Sequence, residues 1–141
     1  MGSRRKGRIL AFQALFSWDT NPVTAAELIE FAWLDEQMRE RYDEGPLTFA
    51  RLIASGTLEH LEEVDNYIKR YLEHWDFKRI GKVDLAILRI SIYALKFQPD
   101  IPATVTIDEA VDIARAYGSD ESYRFINGVL DGILKSRHET E

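Results

Sequence analysis

Val83-Asp84-Leu85-Ala86-Ile87-Leu88-Arg89-Ile90-Ser91-Ile92-Tyr93-Ala94-Leu95 is the stretch that decides the architecture. Val83, Ile87, Ile90 and Ala94 fall along one side of a helix, and Leu85, Leu88, Ile92 and Leu95 along another. A surface helix carries one apolar stripe. A helix that is apolar over most of its circumference is surrounded by other elements. The stretch from about Val83 to Phe97 is therefore expected to be a central helix packed on both sides. Two small bundles sharing it would account for the length of the chain. Arg89 lies inside the apolar run and is expected to pair with a buried carboxylate such as Glu109, since an unpaired charge there is costly.

On either side of this helix, turn signals at Asn21-Pro22, Asp43 to Pro46, Asp76 to Gly81, Gln98 to Pro102 and Gly118 to Asp120 cut the chain into helical pieces. Between them apolar residues recur at three and four. Ala11, Leu15 and Trp18 mark a first helix, with Phe12 and Phe16 beside them. Leu28, Phe31, Ala32 and Leu34 mark a second, Phe49, Leu52 and Ile53 a third, and Leu61, Val64, Ile68 and Leu72 a fourth. The β-branched run around Thr106 is too short for a paired strand, so the fold class is all-α. Thr106-Ile107-Asp108-Glu109 reads as a capping box opening one helix. Gly118 is expected to close that helix in the left-handed conformation, and Ser119 to cap the last helix. On that last helix, Phe125, Val129 and Ile133 follow one line and Ile126, Leu130 and Leu134 another, so part of one row is expected to be exposed. Gly128 costs about 1 kcal/mol relative to alanine inside a helix, which points to close helix approach or contact with a ligand.

The chain has 141 residues, 45% hydrophobic and 30% charged, with no cysteine. One soluble domain spanning 1–141 is expected, cytoplasmic, with neither a disulfide scaffold nor a thiolate metal site. No apolar run reaches the roughly 18 residues of a membrane span. The net charge of −6 conceals an asymmetry. Arg4, Arg5, Lys6 and Arg8 crowd a basic arm at 1–8, while all 24 acidic residues lie at or beyond Asp19. Such an arm is either a solvated terminus or a phosphate-binding patch, even on an acidic protein. If a helix begins near Arg4, then Arg4 and Arg8 are one turn apart and Arg5 neighbours Arg8.

No catalytic pattern accompanies it. His60, His74 and His138 lack metal-ligand spacing, and neither a dinucleotide glycine motif, a phosphate-loop lysine nor a nucleophile elbow is present. No metal, cofactor or catalysis is expected. Tyr117, Tyr123, Arg124 and Phe125 combine aromatic rings with cations, the usual platform for single-stranded RNA. By periodicity alone the same rings also suit a core. Gln13 is open to two readings, an exposed amide or a base contact.

Three blocks carry a resemblance to a known family. They are Arg4-Arg5-Lys6-Gly7-Arg8 with Ala11 to Trp18, the central Val83 to Leu95, and Ile101 to Val111 followed by Ala114 to Ser119 and Phe125 to Asp131. Together they resemble the NusB family of bacterial transcription antitermination factors. That resemblance implies about seven helices in two small bundles sharing a buried central helix. It implies no enzymatic activity. The function it implies is an adaptor that binds boxA-type single-stranded leader RNA with ribosomal protein NusE, in an antitermination complex on RNA polymerase, chiefly for ribosomal RNA operons. Matched residue by residue, Arg4, Arg5, Arg8, Phe16, Tyr117, Glu121, Ser122, Arg124 and Phe125 fall on RNA-contacting positions, and Asp84 on the NusE face. Phe16 stands where members often carry tyrosine, and Glu121 can only accept from a base amino group. Asp84 also suits a helix N-terminus, where the dipole favours an acid. Some members form homodimers that mask the RNA face. Related helical domains are fused to ribosomal RNA methyltransferases, so a stand-alone RNA-binding domain and a purely structural helical module are the alternatives.

Overall fold

In the computed structural model, residues 2–30, 43–72 and 77–140 are described. The expected second-helix positions Phe31, Ala32 and Leu34 and the residues around His74 lie outside them. The described residues form seven α-helices: α1 (Ser3–Thr20), α2 (Ala25–Ile29), α3 (Glu44–Glu59), α4 (Leu61–Tyr71), α5 (Lys82–Phe97), α6 (Ala103–Tyr117) and α7 (Ser122–Thr140). A single 3-10 turn, Phe77–Arg79, precedes α5.

The apolar circumference of α5 does what its sequence requires. Leu85 to Ile92, Ala94 and Leu95 are all buried, and the helix packs against α1, α3, α4, α6 and α7. On one side α1 packs closely with α3, which α2 also touches; on the other α6 packs with α7, which α4 also touches. Ile87, Leu88 and Ile92, wholly buried, join Leu10 and Leu15 of α1 and Ile126 and Leu130 of α7 in one core. Burying each such side chain contributes about 1.5–3 kcal/mol. On α7 both apolar rows turn inward: Ile126, Val129, Leu130 and Ile133 are buried, while Phe125 and Leu134 are half-buried. Contacts to α4, α5 and α6 together widen the stripe that this helix can bury.

Arg89 corrects one expectation. Its Nε and one terminal nitrogen donate to Asp65 Oδ1 and Oδ2 of α4, each at 2.9 Å, and its other terminal nitrogen lies 3.6 Å from Asp19 Oδ1. The planar fork matches a carboxylate in bidentate fashion, the arrangement that best offsets the desolvation of a buried guanidinium. Glu109 is not its partner.

The start of α6 corrects another. The helix begins at Ala103 after Pro102, whose carbonyl accepts from Val105 and Thr106. Thr106 therefore sits one turn inside, buried, with Oγ1 lacking a hydrogen-bond partner among the described residues. No capping box forms because the proline, with its fixed φ and missing donor, already suits a helix start. That leaves Glu109 free for another cation.

Candidate nucleic-acid interface

The first turn of α1 is built against its own dipole. Arg4, Arg5 and Lys6 crowd the positive end of a helix whose N-cap, Gly2, offers no side-chain acceptor and whose first turn holds no acid. Cations there are unfavourable, and an anion placed nearby is correspondingly favoured. Packing offsets the cost. The guanidinium carbons of Arg4 and Arg8 lie 5.9 and 5.2 Å from the centroid of the Phe49 ring on α3, within cation–π range. Gly7 permits this approach. A Cβ there would lie 2.8 Å from Phe49 Cδ2 and 3.0 Å from the Pro46 carbonyl oxygen.

Arg8 is only 8% exposed. One of its terminal nitrogens is buried with no hydrogen-bond partner among the described residues. Burial pushes its pKa below the usual arginine value; Glu109 opposes that shift, and Arg4 and Arg5 reinforce it. A buried guanidinium with an unfilled donor is an expensive arrangement, and an incoming anionic oxygen would relieve it.

Arg5 behaves differently. Its Nε donates to Glu109 Oε2 at 2.9 Å and a terminal nitrogen donates to Asp112 Oδ2 at 2.6 Å. The hydrogen bond and charge of Glu109, then those of Asp112, hold its pKa above the usual value. The three arginines of the motif are thus divided. Arg4 and Arg8 flank an aromatic ring, whereas Arg5 clamps α1 to α6.

The aromatic half of the site lies between the same two helices. The Phe12 and Tyr117 rings meet at 5.3 Å between centroids, tilted by 52°. Phe12 is buried, while Tyr117 is 45% exposed and Phe16, one turn further along α1, is 38% exposed. Gln13 is half-buried, and its Oε1 lacks a hydrogen-bond partner among the described residues.

The turn from α6 to α7 departs from expectation in two ways. Gly118 has φ −93° and ψ −171°, which is extended and not left-handed. Glycine is needed there for space. An added Cβ would lie 2.5 Å from Ser122 Oγ, 2.6 Å from Ser122 Cβ and 2.8 Å from the Ala114 carbonyl oxygen. Nor is Ser119 the cap of α7. Its backbone N–H donates to Ser122 Oγ at 2.9 Å, its carbonyl accepts from the Ser122 N–H, and the two hydroxyls lie 3.1 Å apart. Ser122 is therefore buried and its hydroxyl is engaged within the turn. Glu121 and Arg124 stand exposed on either side of it. Arg124 Nε donates to the Tyr123 hydroxyl at 3.1 Å, and the Arg115 guanidinium lies over the Tyr123 ring. Phe125, half-buried, lines a shallow cleft with Arg124, Gly128, Val129, Tyr71 and Leu72.

Sequence reasoning passed over Phe49, Gly7, Asp112 and Tyr71. Gly7 carried a readable signal, a glycine inside a helical arginine run. The others carried none, because their roles depend on which helix lies opposite. Asp84 is half-buried and is the acid in the first turn of α5, after Gly81. Among the described residues no cluster of three or more His, Asp or Glu is arranged for a metal, and no helix is long and apolar enough to cross a membrane.

Comparison with known proteins agrees with this arrangement. A profile described as the NusB family matches residues 5–135. Transcription antitermination protein NusB of Treponema pallidum is 55% identical over 94% of this chain and 93% of its own length. The solved structure of T. maritima NusB superposes with a TM-score of 0.81 at 41% identity, over 94% of this chain and 90% of that one. A chain from the crystal structure of antitermination factors NusB and NusE in complex with dsRNA shares the fold. Its TM-score is 0.84 at 24% identity, over 96% of this chain and 98% of that one.

Proposed function

This chain belongs to the NusB family, and on that premise we propose that it is a non-enzymatic, cytoplasmic adaptor for transcription antitermination. It binds boxA-type single-stranded leader RNA together with ribosomal protein NusE and keeps that complex on elongating RNA polymerase, chiefly in ribosomal RNA operons. The whole of 1–141 serves as one RNA-binding domain. The observation that carries the reading is Arg8: a buried guanidinium with an unfilled donor one turn from the positive end of α1, sharing the Phe49 ring with Arg4. Phosphate oxygens supply the acceptor and the charge that this end lacks. Phe16, Tyr117, Arg124 and Phe125 add stacking surface and cations, and Glu121 accepts from a base amino group. Arg5 and Ser122 act by holding α1 and the turn in place.

Asp84 is assigned to the NusE contact. The test is titration of boxA-type RNA with and without NusE at two salt concentrations. Affinity should fall steeply with salt and rise with NusE. By linkage, RNA must then raise NusE affinity by the same factor. Asp84→Lys should abolish the NusE enhancement while leaving RNA binding by the isolated protein intact. RNA binding that is absent or indifferent to salt would overturn the reading. Full enhancement in Asp84→Lys would move the partner contact elsewhere.

A further inference from the structure

Phe49 stands on the side of α3 that meets Gly7 of α1. Its side chain is half-buried and packs against the core. The approach of α1 is close: an added Cβ on Gly7 would lie 2.8 Å from Phe49 Cδ2 and 3.3 Å from Phe49 Cβ. That contact sets the ring against one turn of α1. Arg4 precedes Gly7 on this turn and Arg8 follows it, so their side chains are neighbours at i and i+4. Both guanidinium carbons lie over the ring, at 5.9 and 5.2 Å from its centroid. Burial first, and then the charges of Arg4 and Arg5, lower the pKa of Arg8, so the cations of this turn repel one another. Long side chains that repel spread into solvent unless something gathers them. An aromatic ring attracts a cation through its quadrupole and offers no lone pair. It therefore steadies a guanidinium without neutralising it. Glu109 and Asp112, by contrast, take up both the charge and the donors of Arg5.

We infer that Phe49 is a positioning residue for RNA binding: its ring gathers the Arg4 and Arg8 guanidinium groups, so that they meet the RNA backbone as a preformed pair. The inference rests on the RNA-binding reading above and brings α3 into the site without adding a contact to RNA. Ordering a long side chain at the moment of binding costs free energy. A pair already gathered in the unbound protein has less freedom left to lose. The residue type matters for this role. Leucine would bury as well but has no quadrupole, and a carboxylate would hold the arginines but cancel the charge that a phosphate seeks.

Phe49→Leu keeps an apolar side chain beside Gly7 and removes the ring. Its affinity for boxA-type single-stranded RNA should fall by about threefold to thirtyfold, the effect of freeing two long side chains. The slope of log affinity against log salt should stay at the wild-type value, because both cations remain. Phe49→Tyr should restore the affinity. Positioning is separated from packing by making Phe49→Leu in an Arg4→Ala, Arg8→Ala background at low salt, where it should cause no further loss. Proton NMR of unbound wild type adds a measurement that needs no variant. The side-chain methylene signals of Arg4 and Arg8 should lie upfield of the free-arginine range, shifted by the Phe49 ring current. If a folded Phe49→Leu binds RNA as tightly as wild type, or loses as much without the arginines as with them, the ring only packs and the wider reading stands. Unshifted arginine signals in wild type would sink the positioning role whether or not Phe49→Leu folds. If wild type binds no RNA, both the inference and the reading beneath it fall.

Discussion

The Arg5 guanidinium and the Glu109 carboxylate, 104 positions apart in the chain, meet at 2.9 Å and join the first turn of α1 to the second turn of α6. This contact divides a basic motif that looks uniform in sequence. Arg5 already has counter-charges in Glu109 and Asp112, so a phosphate gains little from it. Arg4 and Arg8 face an aromatic ring that offers no full charge. Further along, the Phe12 and Tyr117 rings bring the same two helices together a second time, at 5.3 Å between centroids.

Arg4→Ala is therefore expected to reduce the slope of log affinity against log salt by about one phosphate's worth. Arg5→Ala should leave that slope near the wild-type value and lower stability by up to about 1 kcal/mol. The loss is small because the Arg5 side chain is 40% exposed and its pair is screened. RNA titrations at several salt concentrations, with urea unfolding in parallel, separate the two. An equal loss of slope in both variants would mean that Arg5 leaves Glu109 for the RNA.

Gly118→Ala should destabilise the protein by about 1–3 kcal/mol, the usual cost of forcing atoms into a packed space. The backbone there is extended, so any destabilisation reports the crowding by Ser122 and the Ala114 carbonyl and not φ strain. Thermal unfolding measures it. A neutral substitution would show that the turn yields without loss.

Asp65→Ala removes the bidentate partner of a guanidinium that is only 7% exposed. Breaking a buried pair from one side costs about 3–5 kcal/mol. Equilibrium urea unfolding should show a loss of this size. A loss below about 1 kcal/mol would mean that Asp19, at 3.6 Å, suffices to hold the charge.

Tyr93 predicts an alkaline dependence of stability. Burial first, and then the charge of Glu59, push its phenol above the ordinary value of 10.0. The ring packs against the Gly56 backbone and stacks near His60 and Phe97. A folded-state pKa above the unfolded one contributes stability that is complete below pH about 10 and is lost as pH rises toward the folded pKa. Unfolding free energy should thus decline more steeply above pH 10 in the wild type than in Tyr93→Phe. Identical slopes would mean that Tyr93 loses its proton alike in the folded and unfolded states.

Apolar recurrence along the chain was enough to mark α1, α3, α4 and α5 and to rank α5 among them. Apolar spacing is a local property that survives any arrangement of neighbours, and a helix apolar all round has only one stable place. The local reading failed where two local solutions competed. Thr106 to Glu109 has the residues of a capping box, but Pro102 opens α6 a turn earlier. Gly118 has the residue type of a left-handed cap, but its backbone is extended and the close approach of Ser122 is what excludes a side chain.

Which charges pair depends on how the helices pack. Arg5 with Glu109, Arg89 with Asp65, and Arg8 with Phe49 each join different helices. Spacing along one helix governs neighbours three and four residues apart. It does not encode which face of another helix lies opposite, because that depends on how all the apolar stripes are buried together. Composition placed the cations at one end of the chain. Packing neutralised one of them, left another buried with an unfilled donor, and so set the difference in role between Arg5 and Arg8.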